Sequence, residues 1–356
     1  MSVVLVGLLA QPEMLAALDL AGQGTELPGG LAGGGRAGIV PGDWPCLRPD
    51  EETVPAVAVD PTPGLMRYAE VMAAETLDVR GLRVLGLSGE PGDAGDPPPD
   101  HTRLAAEIAR QILAAPGAVP AAQLAARLPM IGTWAASRLR APTEPVSGGD
   151  TVRRRAPEEV QLHAATDEFT GYFAVRRPVL SHVRHDGAIS GKMSREVFLM
   201  GDAVAVLPWD PVRDRVLVIE QFRAAPFLRA DPQPWMLEAV AGRVDAGETV
   251  EDAARREARE EAGLDLGRLI HALNTYPSPG AVGEFHYHYI GIADLADGTE
   301  GLHGLAEESE DIRGHLLPRR RLEEMALAGQ ITNGPLAMIA LWLRGEAGRL
   351  RAELQG

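Results

Sequence analysis

The sequence has one cysteine, Cys46, so no disulfide can form within the chain, and a reducing, cytoplasmic setting is expected. Positive charge is also scarce: 34 Lys and Arg against 50 Asp and Glu leave a net charge of −16. That balance argues against nucleic acid or an anionic membrane as partner, and the basic runs at residues 153–155 and 319–321 are too short and isolated to offset it. Long apolar runs are missing too. Residues 3–10, VVLVGLLA, follow no positive residue and are too few to cross a bilayer, so they read as a first strand, not a signal peptide or membrane span. Aromatic residues are only 4% of the chain within an ordinary 45% hydrophobic total. An acidic protein of this kind acting on an anionic substrate would need metal ions and a few local arginines.

At 356 residues the chain exceeds the usual single domain, so two are expected. Residues 1–120 form the first, with strands at 2–8, 53–59 and 82–87, a helix near 12–18, Gly-rich turns over 22–38, and a helix over 101–113. Residues 89–100, GEPGDAGDPPPD, can be neither helix nor central strand. Residues 121–159 read as a helix to about residue 128 and then a linker of Arg, Pro, Ser and Gly. The second domain, 160–356, opens with strand candidates at 160–165, 172–179, 193–200, 203–208, 215–221 and 235–241. Further strands at 269–276, 285–293 and 312–317 and helices at 321–328 and 335–351 follow, an α/β pattern of strands between helices.

Residues 242–264, GRVDAGETVEDAARREAREEAGL, organise the second half. Thr249 is placed to cap a helix with Asp252 answering it, and Gly263 to end that helix in the left-handed region, so a helix is predicted over 250–262. Glu257 and Glu261 are four apart and stack on one face beside Glu260, where like charges repel. Arg256 toward Glu260 and Arg255 toward Glu251 relieve part of this. REAREE alone would read as a solvated helix face. The fixed Gly242 and Glu248 turn the reading toward a cation, and oxygen-only ligands point to Mg2+ or Mn2+ before Zn2+.

The stretch resembles the Nudix box, G-x5-E-x7-R-E-U-x-E-E-x-G-U with U aliphatic, at every fixed position, Ala258 filling the first U. The chance of seven such residues at these offsets is on the order of 10⁻⁹. The resemblance implies an α/β/α sandwich that hydrolyses a nucleoside diphosphate linked to another moiety. It implies Mg2+ held by Glu257, Glu261 and Glu260, with Arg256 orienting the glutamates and Glu248 supporting the loop.

Outside the box, Pro279 sixteen residues after Gly263, LVIEQFR at 217–223, WMLEAVAG at 235–242 and GLAEESEDIR at 304–313 resemble the ADP-ribose pyrophosphatase group. That resemblance implies Glu308 as the base that activates water, and Glu310 and the carbonyl of Ala241 as further metal ligands. It implies Arg195, Arg223, Tyr172, Glu238 and Glu284 as substrate contacts, and a homodimer in which Arg195 serves the partner's site. ADP-ribose is the expected substrate; another nucleotide sugar such as GDP-mannose, or a non-catalytic ADP-ribose sensor, are the alternatives. The first domain resembles the gamma-glutamylcyclotransferase-like fold through LVGL at 5–8 and the run 38–49 with Trp44-Pro45. The family's loop tyrosine and threonine are missing, so it is read as inactive in that chemistry. Two-domain chains of this layout also resemble Nudix proteins associated with tellurite resistance.

Overall fold

The structure is a computed structural model that describes residues 2–145, 148–305 and 310–355. The chain divides into two compact units, Met1–Gly201 with Asp245–Gly247 and Gly280–Gly283, and Asp202–Val244 with Glu248–Pro279 and Glu284–Gly356.

The first unit contains a five-stranded sheet in the order Gly22–Ala32, Cys46–Val59, Val3–Val6, Leu82–Leu87, Glu75–Val79. Only the Val3–Val6 and Leu82–Leu87 pair is parallel. Strand alternation splits the first strand: Val3 and Leu5 face a helical core with Leu65, Tyr68, Leu104 and Ile108, while Val4 and Val6 join Leu27, Ala56 and Val84. Residues 22–32, expected as turns, are a strand because the long Cys46–Val59 strand offers it a partner over most of its length, and Gly29 at φ 130° sits in the bulge that keeps register. The expected linker also differs in part: Leu128–Arg140 is a helix burying Met130, Ile131, Ala135 and Ala136. Pro129 in its first turn does not oppose this, since that position has no intrahelical N–H partner to lose. Glu107, buried, accepts from Arg110 at 3.1 Å and from Arg138 at 2.6 Å, so an arginine of the expected linker serves packed helices. The hairpin Val160–Thr170 and Ala174–His182 completes this unit.

The second unit is an α/β/α sandwich. Its strands run Leu269–Thr275, Val282–Ile292 from residue 284, Val197–Asp210 from residue 202, Arg215–Phe222, Ile312–Pro318, Leu302–His303, with Trp235–Glu238 on the fourth and Val240–Arg243 on the third. Val204, Val206, Leu217 and Ile219 face the helix Val250–Ala262. Their neighbours Ala205, Leu207, Val216 and Val218 face Arg319–Leu327 and Gly334–Gln355. The two-residue alternation of buried strands therefore builds both layers at once. Among the described residues no helix is long and apolar enough to cross a membrane.

Candidate active site

The helix Val250–Ala262 forms where its caps predict: Thr249 Oγ accepts the Asp252 N–H at 3.1 Å, and Gly263 at φ 61° turns the chain back so that its N–H meets the Arg259 carbonyl. Ala253, Ala254, Ala258 and Ala262 are the buried apolar face of the helix. Small residues there bring the helix close to the sheet, and Glu257 and Glu261 are carried into the same contact, 9% and 2% exposed.

Both carboxylates meet the strand Val240–Arg243. Glu261 Oε2 accepts the Ala241 N–H at 2.8 Å. In extended backbone a residue's N–H and C=O leave on the same side, so the Ala241 carbonyl faces the same edge. At the next residue, Gly242, a side chain is excluded, because the Glu257 carboxylate occupies the space a Cβ would need. Burial, reinforced by Glu260 and Glu310 against the pull of Arg256, pushes Glu257 up to about 7. Glu261 is raised well above the ordinary carboxylate range, first by burial and then by Glu257 and Glu310, which outweigh the Ala241 N–H and Arg223.

Arg256 ties the cluster together. Its Nε and one terminal nitrogen each donate to Glu248 at 3.0 Å, that nitrogen also donates to the Arg243 carbonyl at 3.0 Å, and the other reaches Glu257 at 2.7 Å and Glu260 at 3.0 Å. Burial disfavours its charge, but Glu248 and Glu257 outweigh that and hold it protonated above the ordinary arginine range. One guanidinium thus joins the loop before the helix to two of the helix carboxylates.

Glu310 accepts from the Leu305 N–H at 3.2 Å and couples electrostatically to Glu257, Glu261 and Arg223. Arg223 and Glu238, each read as a substrate contact, bond each other: Nε at 3.0 and 3.2 Å and a terminal nitrogen at 2.7 Å. Glu284 pairs with His286 at 3.1 Å on strand Val282–Ile292. Arg195 and Tyr172 belong to the first unit, both exposed, the first donating to the Ser194 carbonyl at 2.8 Å and the second edge-on to Phe173 at 4.9 Å. Glu308 lies outside the described residues. One supporting contact went unread in the sequence: Tyr289 donates to Glu251 at 3.1 Å and tethers the helix to the sheet. The alternation Phe285, Tyr287, Tyr289 was the available signal, since it turns those rings toward the helix layer.

The set suits a hard divalent cation. Its candidate donors are all oxygen, burial holds Glu257 and Glu261 above the ordinary carboxylate range even beside Arg256 and Arg223, and the backbone closes on them without a side chain at 242.

The NUDIX domain model matches residues 200–333. An ADP-ribose pyrophosphatase of Haemophilus influenzae is 36% identical over 196 residues, 54% of this chain and 89% of that protein. The chain belongs to the Nudix family. A second relative, an ADP-ribose pyrophosphatase of Escherichia coli K12, is 39% identical over 186 residues, 52% of this chain and 88% of its own length. A GDP-mannose pyrophosphatase of Salmonella arizonae is 31% identical over 172 residues, 48% of this chain and 88% of that protein. A solved structure described as an ADP compounds hydrolase aligns at TM-score 0.44 and 16% identity, covering 56% of this chain and 100% of its own. The protein is a Nudix hydrolase, and Nudix hydrolases generally use divalent metal cations.

Proposed function

We propose that the second unit hydrolyses the pyrophosphate of ADP-ribose to AMP and ribose 5-phosphate, with Mg2+ held by Glu257, Glu260, Glu261, Glu310 and the Ala241 carbonyl. The observation that carries this reading is the burial of Glu257 and Glu261 against Ala241 and Gly242, two carboxylates from one helix brought to a single backbone edge where a divalent cation would favour their charged form. The relatives named ADP-ribose pyrophosphatase, at 36% and 39% identity, support the substrate over GDP-mannose, whose named relative stands at 31%.

The chemistry a bound divalent cation supplies is acidification of a water and neutralisation of charge on the diphosphate oxygens. Arg256 holds Glu257 and Glu260 in place, so little reorganisation accompanies reaction. Arg223, fixed by Glu238, presents its remaining donor edge to a phosphate or the terminal ribose. Glu308 takes the proton of the attacking water, a P–O bond forms, and the bridging P–O bond breaks to release the two monophosphates. Arg195, Tyr172 and Glu284 are assigned to substrate, and the chain to a cytoplasmic homodimer. For residues 1–120 we assign packing, dimer formation or ligand sensing, not cyclotransferase chemistry, because the loop tyrosine and threonine of the family they resemble are missing.

Phosphatase-coupled phosphate release from a nucleotide-sugar panel, with and without Mg2+, tests the reading. Mg2+-dependent turnover with ADP-ribose preferred is expected. Preference for GDP-mannose would move the protein to the second reading, and ADP-ribose binding without hydrolysis would make it a sensor.

A further inference from the structure

The second unit holds a cavity of about 510 Å³ on the side of the sheet away from the glutamate helix. Strand Arg215–Phe222 fixes that placement: Leu217 and Ile219 pack toward the helix, Val216 and Val218 toward the C-terminal helices, and Glu220 follows the second parity into the cavity. Glu238 stands opposite Ile219 in the register, so the Arg223–Glu238 pair belongs to the other face.

The cavity is built from three kinds of surface. Its floor is apolar, from Leu237, Leu317, Ile331 and the adaptable thioether of Met325. Its wall is Trp235, half exposed and set edge-on to Phe222 at 5.4 Å. Its polar side carries Glu220 and Asp231, and among the described residues lining it there is no lysine or arginine. Among the described residues Glu220 pairs with His315 at 2.7 Å, and Asp231 takes a long, exposed 3.4 Å contact from Arg229. His315 is the one basic side chain among the lining residues, it bonds Glu220, and with no lysine or arginine beside it the two carboxylates disfavour phosphates, while the neighbouring indole offers a face for positive charge.

We propose that this cavity is a second ligand site that takes a small organic cation, an alkylammonium or alkylguanidinium. The charge lies between the Trp235 ring and the carboxylates of Glu220 and Asp231, and the aliphatic stem lies on Leu237, Leu317 and Ile331. The volume falls within the range of about 300–1,000 Å³ typical of small-molecule sites.

Calorimetric titration of the full chain with agmatine tests this. One equivalent is expected to bind, with Trp235→Ala and Glu220→Gln each weakening it about tenfold. Asp231→Asn, a milder change at the rim, is expected to weaken it about threefold and keeps the test valid should either of the others misfold. Adenosine and ADP-ribose should not displace agmatine. Absence of binding at millimolar agmatine, binding indifferent to all three variants, or displacement by adenosine would each overturn the proposal.

Discussion

The carboxylate of Glu257 stands where the Cβ of residue 242 would be: built on Gly242, that atom lies 1.8 Å from Glu257 Oε1 and 2.1 Å from the carboxyl carbon. An exposed glutamate would swing aside, but Glu257 is 9% exposed and its Oε1 is held by Arg256 at 2.7 Å. Gly242→Ala must therefore displace a carboxylate and break its arginine contact. Expected is a folded protein whose Mg2+ affinity and kcat each fall at least about tenfold. Unchanged Mg2+ titration and turnover would mean that Glu257 does not need this position.

Arg256 cannot be replaced by lysine without loss. Its bidentate contact to Glu248 and its reach to the Arg243 carbonyl, Glu257 and Glu260 use a planar fork that a single ammonium cannot span. Arg256→Lys is expected to lower kcat about tenfold to a hundredfold. KM for Mg2+ should rise and the mutant should retain its circular dichroism. A variant with wild-type kinetics would show that the loop and helix hold their geometry without this residue.

What was legible in the sequence was local. The helix Val250–Ala262 with Thr249 and Gly263 at its ends needs only neighbours within a few positions, and the structure forms it as read. Gly22–Ala32 was hidden because glycine reads as turn locally, while its strand state depends on partners from Cys46, opposite Ala32, to Val59, opposite Gly22. In Leu128–Arg140 the helix signal was obscured by Pro129 and Gly132; a Cβ at the latter would meet Ala246 at 2.8 Å. The Arg223–Glu238 pair was read as two separate substrate contacts because only antiparallel register, Ile219 opposite Glu238, brings fifteen-residue neighbours together.

Glu261 accepts the Ala241 N–H and lies deeper than Glu257 or Glu260, so its loss is not compensated by solvent. Glu261→Gln keeps the shape and removes the charge. Turnover is expected to fall by more than about a hundredfold, and chelation by EDTA should abolish wild-type turnover reversibly on adding Mg2+. By contrast, Glu308→Gln should lower kcat about 10²–10⁴-fold while Mg2+ affinity holds, as befits a base and not a ligand. Equal loss of metal affinity in both variants would reassign Glu308 to the cation.

His288 makes stability pH-dependent. It is 0% exposed, and burial, with His286 and His271 adding to it, lowers its pKa from 6.5 to about 4. Above the unfolded value near 6.5 both states are neutral and the stability is fully present. As pH falls toward 4 the unfolded chain takes a proton that the folded chain refuses, so stability drops by about 1.4 kcal/mol per unit, and the loss stops once the native ring titrates. Between pH 7.5 and 5 this amounts to about 2 kcal/mol. Urea unfolding followed by fluorescence, with Trp44 and Trp134 replaced by Phe, reports the second unit, where the remaining indoles Trp209, Trp235 and Trp342 lie. The expected result is a larger acid-side loss in the parent than in His288→Gln, which does not titrate. Equal losses in the two proteins would place the pH dependence elsewhere.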